Sequence, residues 1–191
     1  VCWIWTLYDN NTLRTTDINS TVDNGLEFGA RIQQPLSIGD LGLSAHSRPI
    51  TMSSSQAQEY KFGLDFVANG LIPFWTEHML SAAKSNSEEQ QIVKSMLGSD
   101  YTFPIGNGIY ILTELQYSNI LLNNVRDDFV TMFFQVSYPI SIIDQLSFST
   151  ILSQENRSDI IMLARAYDFF KVVAIMYTKE KQASLALYWN Y

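Results

Sequence analysis

Apolar residues recur at every second position along most of this chain. In the segment 130–138 the apolar residues have one parity and the polar residues, with one phenylalanine, have the other; the segments 60–66 and 184–191 alternate in the same way. A period of two is typical of a β-strand whose two faces meet different surroundings. The pattern predicts twelve strands: 1–8, 26–33, 40–46, 60–66, 71–80, 92–103, 109–117, 130–138, 145–150, 160–167, 171–177 and 184–191.

The connections between these strands are of two kinds. Short turns rich in Gly, Pro, Asn or Ser alternate with longer polar loops, among them 47–59 and 123–128, which predicts an antiparallel up-and-down sheet. The segments 87–97 and 162–176 also fit the spacing of an amphipathic helix, but we interpret them as strands because the alternation of turns and loops requires them. The turns lie near Ser37, Asn69, Asn107, Ser141 and Asp168, and the loops near Asn19, Ser54, Asn86, Arg126, Glu155 and Lys181.

The composition favours a sheet of this kind in a membrane. Hydrophobic residues make up 47% of the 191 residues, yet only 16% are charged, and the mean hydropathy is zero. Soluble domains carry about a quarter charged residues, and aromatic residues, here 13%, gather at the two rims of membrane barrels. No apolar run is long enough for a transmembrane helix. The net charge of −7 and the lack of a basic stripe argue against nucleic acid as a partner.

Cysteine usage and motifs exclude several kinds of chemistry. A single cysteine, Cys2, provides neither a disulfide framework nor a cysteine-based metal site. No phosphate-binding loop and no metalloprotease motif is present, so we expect no cofactor and no metal. The chain starts within an alternating segment and without a secretory leader. We therefore expect a single β-barrel domain over residues 1–191, either a mature chain or the C-terminal part of a longer barrel.

Three stretches carry a resemblance to a known family. They are 100–110 (DYTFPIGNGIY), 138–140 (YPI) and 165–168 (RAYD), and the chain closes on Trp189 and Tyr191. Hairpins of the form aromatic–turn–aromatic and a terminal aromatic residue resemble the C-terminal half of porin-like outer-membrane β-barrel proteins of Gram-negative bacteria. The resemblance covers residues 60–191. It implies an all-β fold, a transmembrane antiparallel up-and-down barrel of about twelve strands with short periplasmic turns and longer external loops.

The same resemblance implies a location, partners and a role. The location is the bacterial outer membrane, with its lipid and lipopolysaccharide as surroundings. The partners are the barrel-assembly machinery, which would engage the C-terminal strand, and other outer-membrane proteins if the chain belongs to a complex. The role is a porin-like channel for passive passage of small polar solutes, or a structural or partner-binding barrel. In neither role is the protein an enzyme.

Charged side chains within the strands are the candidates for lining such a barrel. Turning one of them to the lipid would cost about 2–4 kcal/mol for Arg or Lys at mid-membrane, so they are expected to face inward. The inward charges either line an open pore or form ion pairs that fill a narrow barrel. The candidates are Glu27, Arg31, Lys61, Asp65, Glu77, Lys94, Asp100, Glu114 and Arg165, and the membrane-interface aromatic candidates are Trp3, Trp5, Trp75, Trp189 and Tyr191.

Two other functions fit parts of the pattern. A soluble antiparallel β-sandwich or barrel that binds an apolar ligand would show the same alternation, with its apolar faces packed together. A lipid hydrolase of the outer membrane would need a Ser–His pair on the outer surface; the two histidines are His46 and His78, each near hydroxyl residues in sequence. Such a pair must be built in space and oriented by a third group. Sequence proximity alone does not establish it.

Overall fold

The twelve predicted strands are present. A computed structural model describes residues 1–10, 19–52, 55–154, 156–167, 170–177 and 182–189, with the side chain of Trp189 left out. Among these residues there is no helix long and apolar enough to cross a membrane. The strands are β1 Cys2–Tyr8, β2 Leu26–Leu36, β3 Gly39–Met52, β4 Ser55–Ala68, β5 Phe74–Lys84, β6 Glu89–Phe103, β7 Ile109–Leu122, β8 Val125–Pro139, β9 Asp144–Ser153, β10 Arg157–Ala166, β11 Phe170–Tyr177 and β12 Gln182–Trp189.

The strands form one sheet in sequence order, from β1 to β12. Each strand pair with a described register is antiparallel, so the predicted up-and-down topology is confirmed. Of the two segments that also fit a helix, 89–97 lies in β6, 162–166 in β10 and 170–176 in β11, while 168–169 fall outside the described residues. In the strand order β1 and β12 stand at the two ends, and among the described residues no pairing joins them, so the expected closure is not shown.

The loops differ from the prediction in two places. The predicted loop 47–59 is occupied by the end of β3 and the start of β4, up to Met52 and from Ser55. The predicted loop 123–128 shrinks to Asn123 and Asn124, whose positive φ angles of 49° and 66° make a tight hairpin turn. The polar residues in these segments belong to the polar face of strands. Local composition alone does not distinguish such a strand from a loop.

The contacts divide the chain into two compact units. The first comprises Val1–Gly70, Trp75–Met96 and Tyr117–Phe129, and the second comprises Leu71–Phe74, Leu97–Gln116 and Val130–Tyr191. In the first unit a small apolar cluster is buried on one face of the sheet, at the end of β3, the start of β4 and the end of β5. This cluster consists of Ile50, Met52, Ala57 and Ala83.

Candidate functional site

In the first unit the polar face of the sheet is the buried face. The register places His46 opposite Gly29 on β2 and opposite Lys61 on β4. Residues two positions apart share a face, so Glu27 and Arg48 lie on the same face as His46. Glu27 is 0% exposed and Arg48 is 1% exposed. A charged side chain is buried at this level only when partners satisfy it.

The carboxylate of Glu27 has such partners. The hydroxyl of Thr21 donates to Oε1 of Glu27 at 3.0 Å, and the side-chain amide of Asn10 donates to the same oxygen at 3.3 Å. Nε2 of His46 lies 3.0 Å from Oε2. Three different side chains therefore contact the buried charge, and two of them, Asn10 and Thr21, lie on the segment between β1 and β2.

Arg48 and Glu59 form the second buried centre. Nε of Arg48 donates to Oε2 of Glu59 at 2.5 Å, and Nζ of Lys61 lies 3.4 Å from the same oxygen. The hydroxyl of Ser81 donates to the other carboxylate oxygen at 2.7 Å. Arg48 also donates to the backbone oxygen of Asn19 at 3.2 Å. These contacts join β3, β4 and β5 to the segment between β1 and β2.

A third ion pair reaches across β3, which lies between β2 and β4. The guanidinium of Arg31 on β2 donates to both carboxylate oxygens of Asp65 on β4, at 2.6 Å each. The pair passes directly over Gly42 of β3, where a Cβ would meet the carboxylate and the guanidinium. This interlocked layer, together with the apolar cluster around Ile50, fills the polar face of the first unit.

The opposite face of the sheet is apolar and exposed. Phe62 is 57% exposed on the first unit, and Leu185 is 71% exposed on the second. Exposed large apolar residues continue along that face of both units, opposite to the arrangement of a water-soluble core. Further members are Ile4, Phe28, Ile32, Leu43, Leu64 and Leu80 in the first unit, and Leu146, Leu163 and Leu187 in the second.

The polar face of the second unit is built mainly from uncharged residues. Ser137 on β8 lies opposite Ser147 on β9, and both are buried. Ala164 on β10 follows on the same face and is also buried. Small side chains leave room there: a cavity of about 450 Å³ is lined by residues that include Gln135, Ser137, Gln145 and Lys171.

Eight of the nine predicted lining residues have the parity of the polar face. Glu27, Arg31, Lys61 and Asp65 take part in the contacts above. Glu77 has the parity of Ser81, and Lys94 that of Gln90, whose amide oxygen accepts from Asn19. In the second unit the hydroxyl of Tyr110 donates to Asp100 at 3.0 Å, and Glu114 shares the parity of Tyr110.

Arg165 is the one predicted lining residue that does not have the parity of the polar face. Arg165 lies opposite Asp144 and Val172, with the parity of Leu163 and not of the buried Ala164. Its guanidinium donates to both oxygens of Asp144, at 2.6 Å and 2.9 Å. An ion pair near the end of β10 allows a charge on the apolar face, because the pair neutralises it next to the turn.

Three of the five predicted interface aromatics lie on the unexpected face. Trp3 is opposite Arg31 and Trp5 is opposite Gly29, so both belong to the polar face. The ring of Trp5 stacks against His46 with centroids 6.4 Å apart. Trp75 has the parity of Ser81 and belongs there too. The side chain of Trp189 and all of Tyr191 lie outside the described residues.

His46, Arg48 and Glu59 are site residues that the sequence analysis missed. His46 and Arg48 continue the parity of the polar face along β3, and Glu59 has the parity of Lys61 and Asp65 along β4. That parity was the available signal. Arg48 and Glu59 fall in the segment 47–59, which the sequence analysis interprets as a loop. His46 ends the predicted strand 40–46 and is considered there only as the partner of a serine.

A polar trio interrupts the apolar face of the first unit. Nε2 of His78 lies 2.9 Å from Oγ1 of Thr76, and Nδ1 lies 3.0 Å from Oγ of Ser95. Oγ1 of Thr76 in turn donates to the backbone oxygen of Met96 at 3.0 Å. His78 and Ser95 border an open, mainly apolar groove of about 610 Å³. Its walls include Ile32, Leu43, Phe62, Leu64 and Leu80.

The part of the chain described by the structure contains no group of three or more His, Cys, Asp or Glu residues that could hold a metal ion. Comparisons with protein-family models, with curated proteins and with solved structures gave no match.

Proposed function

We propose that this chain is a transmembrane β-barrel protein of a bacterial outer membrane that lets small polar solutes pass. The observation that carries the proposal is the inverted distribution of side chains. Arg48 and Glu27 are almost fully covered, whereas Phe62 and Leu185 are mostly exposed. In water this arrangement would lose the free energy of apolar burial. In a bilayer the exposed apolar face meets hydrocarbon, which is the alternation that membrane barrels have.

A membrane sheet also needs closed edges, since hydrocarbon offers no hydrogen bonds to a free strand. We therefore propose that β1 and β12 pair in the membrane. The natural Cys2 on β1 is exposed and gives a direct test. Cysteines introduced singly at Ala183, Leu185 or Leu187 of β12 should form a disulfide with Cys2 in one register. Failure of all three in folded protein would contradict direct closure by these two strands.

The membrane proposal has its own test. The folded protein should require detergent or lipid and should migrate faster on a gel before heating than after it. A protein that stays monomeric in water without detergent would support the soluble sandwich. Reconstitution into vesicles with protection of the strands from protease would support the barrel.

Passage of solutes is tested by current across planar bilayers. The polar cavity of the second unit offers hydrogen-bonding contacts to a solute, so we expect discrete conductance steps from the folded protein. Ala166 borders this cavity, and Leu163 on the same strand belongs to the exposed apolar face. Ala166→Trp should lower the conductance, whereas the matched Leu163→Trp should not. If the folded protein gives no current, the alternative is a structural barrel whose interior is filled. The interlocked charges of the first unit are the feature that favours this alternative.

A second candidate function, hydrolysis of lipid esters, is favoured by the trio Thr76, His78 and Ser95. One set of hydrogen positions satisfies every contact. Ser95 donates to Nδ1 of His78, Nε2–H donates to Thr76, and Thr76 donates to the carbonyl of Met96. This chain places a hydroxyl, a base and an orienting group in the order that nucleophilic catalysis uses.

In that reaction Oγ of Ser95 would attack the ester carbonyl carbon and pass its proton to His78. The ester C–O bond would break as the alcohol takes this proton, and water would then release the acyl group. A fluorophosphonate probe and a long-chain ester test the candidate on protein folded in detergent. Ser95→Ala should abolish labelling and turnover, with Ser99→Ala on the same strand as control. No labelling of the native protein rejects the hydrolase.

A further inference from the structure

The cavity of the second unit contains a cation that its surroundings do not neutralise. Lys171 on β11 lines the cavity and is half-buried. In the described part of the chain its ammonium group makes neither a hydrogen bond nor an ion pair. Partial burial without a partner costs an ammonium group part of its hydration free energy. A bound anion would compensate that loss.

The acidic residue in the lining already has a partner. Asp144 also lines the cavity, but both of its oxygens accept from Arg165, and one accepts from Ser141 at 3.0 Å. The carboxylate of Asp100, which accepts from the hydroxyl of Tyr110, and that of Glu114 are not part of the lining. Among the residues that line the cavity, the unpaired charge is therefore that of Lys171.

The rest of the lining suits hydroxyl groups. Gln135 and Gln145 present carboxamides, and Thr102, Ser137 and Tyr110 present hydroxyls. The hydroxyl of Tyr110 donates to Asp100, so its oxygen remains an acceptor. Donors and acceptors of this kind, distributed around one cation, match a solute that carries several hydroxyls and one negative charge.

We propose that this cavity binds a small polyhydroxy carboxylate of the sugar-acid class, with its carboxylate at Lys171 and its hydroxyls at Gln135, Gln145 and Ser137. This inference rests on the proposed function, because the solute would reach the cavity through the proposed channel. Binding itself is measurable without passage.

The test uses D-gluconate as the probe, with folded protein in detergent and isothermal titration calorimetry. D-gluconate should bind more tightly than D-glucose, which is uncharged, than D-glucosamine, which is a cation, and than acetate, which has no hydroxyls. Lys171→Gln should weaken gluconate binding about ten-fold or more, the factor expected for loss of a charge-assisted contact. Lys171→Arg should retain most of it. Lys84→Gln, at an exposed lysine of the first unit, is the matched control and should bind like the native protein.

Each result has a defined consequence. Gluconate binding no tighter than glucose, or unchanged by Lys171→Gln, overturns the assignment of the charge. Acetate binding as tightly as gluconate overturns the role of the hydroxyls, which Gln135→Leu tests independently if Lys171→Gln fails to fold. If the protein binds gluconate but gives no conductance, the proposed channel function is contradicted and the proposed binding site is retained. If the protein conducts but does not bind gluconate, the binding site is contradicted and the channel function is retained.

Discussion

The indole of Trp5 lies directly on Gly29, its cross-strand neighbour on β2, and a Cβ at Gly29 would overlap the ring. The same ring stacks against His46, which contacts the buried Glu27. A strand at the edge of a sheet has a single neighbour to hold it. This contact therefore holds β1 against β2, because Gly29 has no side chain and leaves space for the indole of Trp5.

Gly29→Ala should destabilise the folded protein by about 1–3 kcal/mol, since the added methyl forces the indole away. Unfolding in urea, followed by tryptophan fluorescence in detergent, measures the loss. In a Trp5→Ala background the same substitution should cost much less, because the overlapping ring is gone. An equal cost in both backgrounds would show that the two residues are not in contact.

Arg48→Met should destabilise the protein by about 3–5 kcal/mol, because it leaves Glu59 buried with a weaker set of partners. The double variant with Arg48→Met and Glu59→Gln removes both charges and should be clearly more stable than the single variant. Equilibrium unfolding of both in the same detergent decides this. If the double variant is as unstable as the sum of the two single variants, the charges are not coupled.

Glu114→Gln should shift the ratio of cation to anion permeability toward anions, because Glu114 belongs to the polar face. Arg165→Gln should leave that ratio unchanged, since Arg165 is paired with Asp144 on the apolar face. Reversal potentials in a salt gradient measure both. If Arg165→Gln shifts the permeability ratio and Glu114→Gln does not, the face that carries Arg165, and not the face that carries Glu114, would line the pore.

Phe62→Arg should prevent stable insertion into vesicles, since an arginine on the lipid face costs about 2–4 kcal/mol at mid-membrane. Ile142→Arg is the matched control: Ile142 is also apolar and exposed, but it lies in the turn between β9 and β8. The folded fraction, read from the gel shift before heating, should fall for the first variant alone. Equal insertion of the two variants would mean that Phe62 does not face hydrocarbon.

The sequence was sufficient for the strands and for most of their faces. Alternation is a direct consequence of the extended backbone, so the parity of Lys61, Asp65 and Glu114 could be assigned without knowing any partner. The sequence does not assign the faces of a strand when the residues of both parities are equally apolar. In β1 both Trp5 and Ile4 are apolar, and only pairing with β2 decides that Trp5 joins Gly29 on the polar face.

The interlocked charges needed the tertiary structure for a different reason. Arg48 and Glu59 are eleven positions apart in a segment whose composition is that of a loop, and Arg31 reaches Asp65 across an intervening strand. Contacts of this kind depend on register between neighbouring strands. A single chain's pattern of polarity fixes which side a residue is on, because that follows from backbone geometry. The partner it meets there, and whether that side is covered, depends on how the strands align.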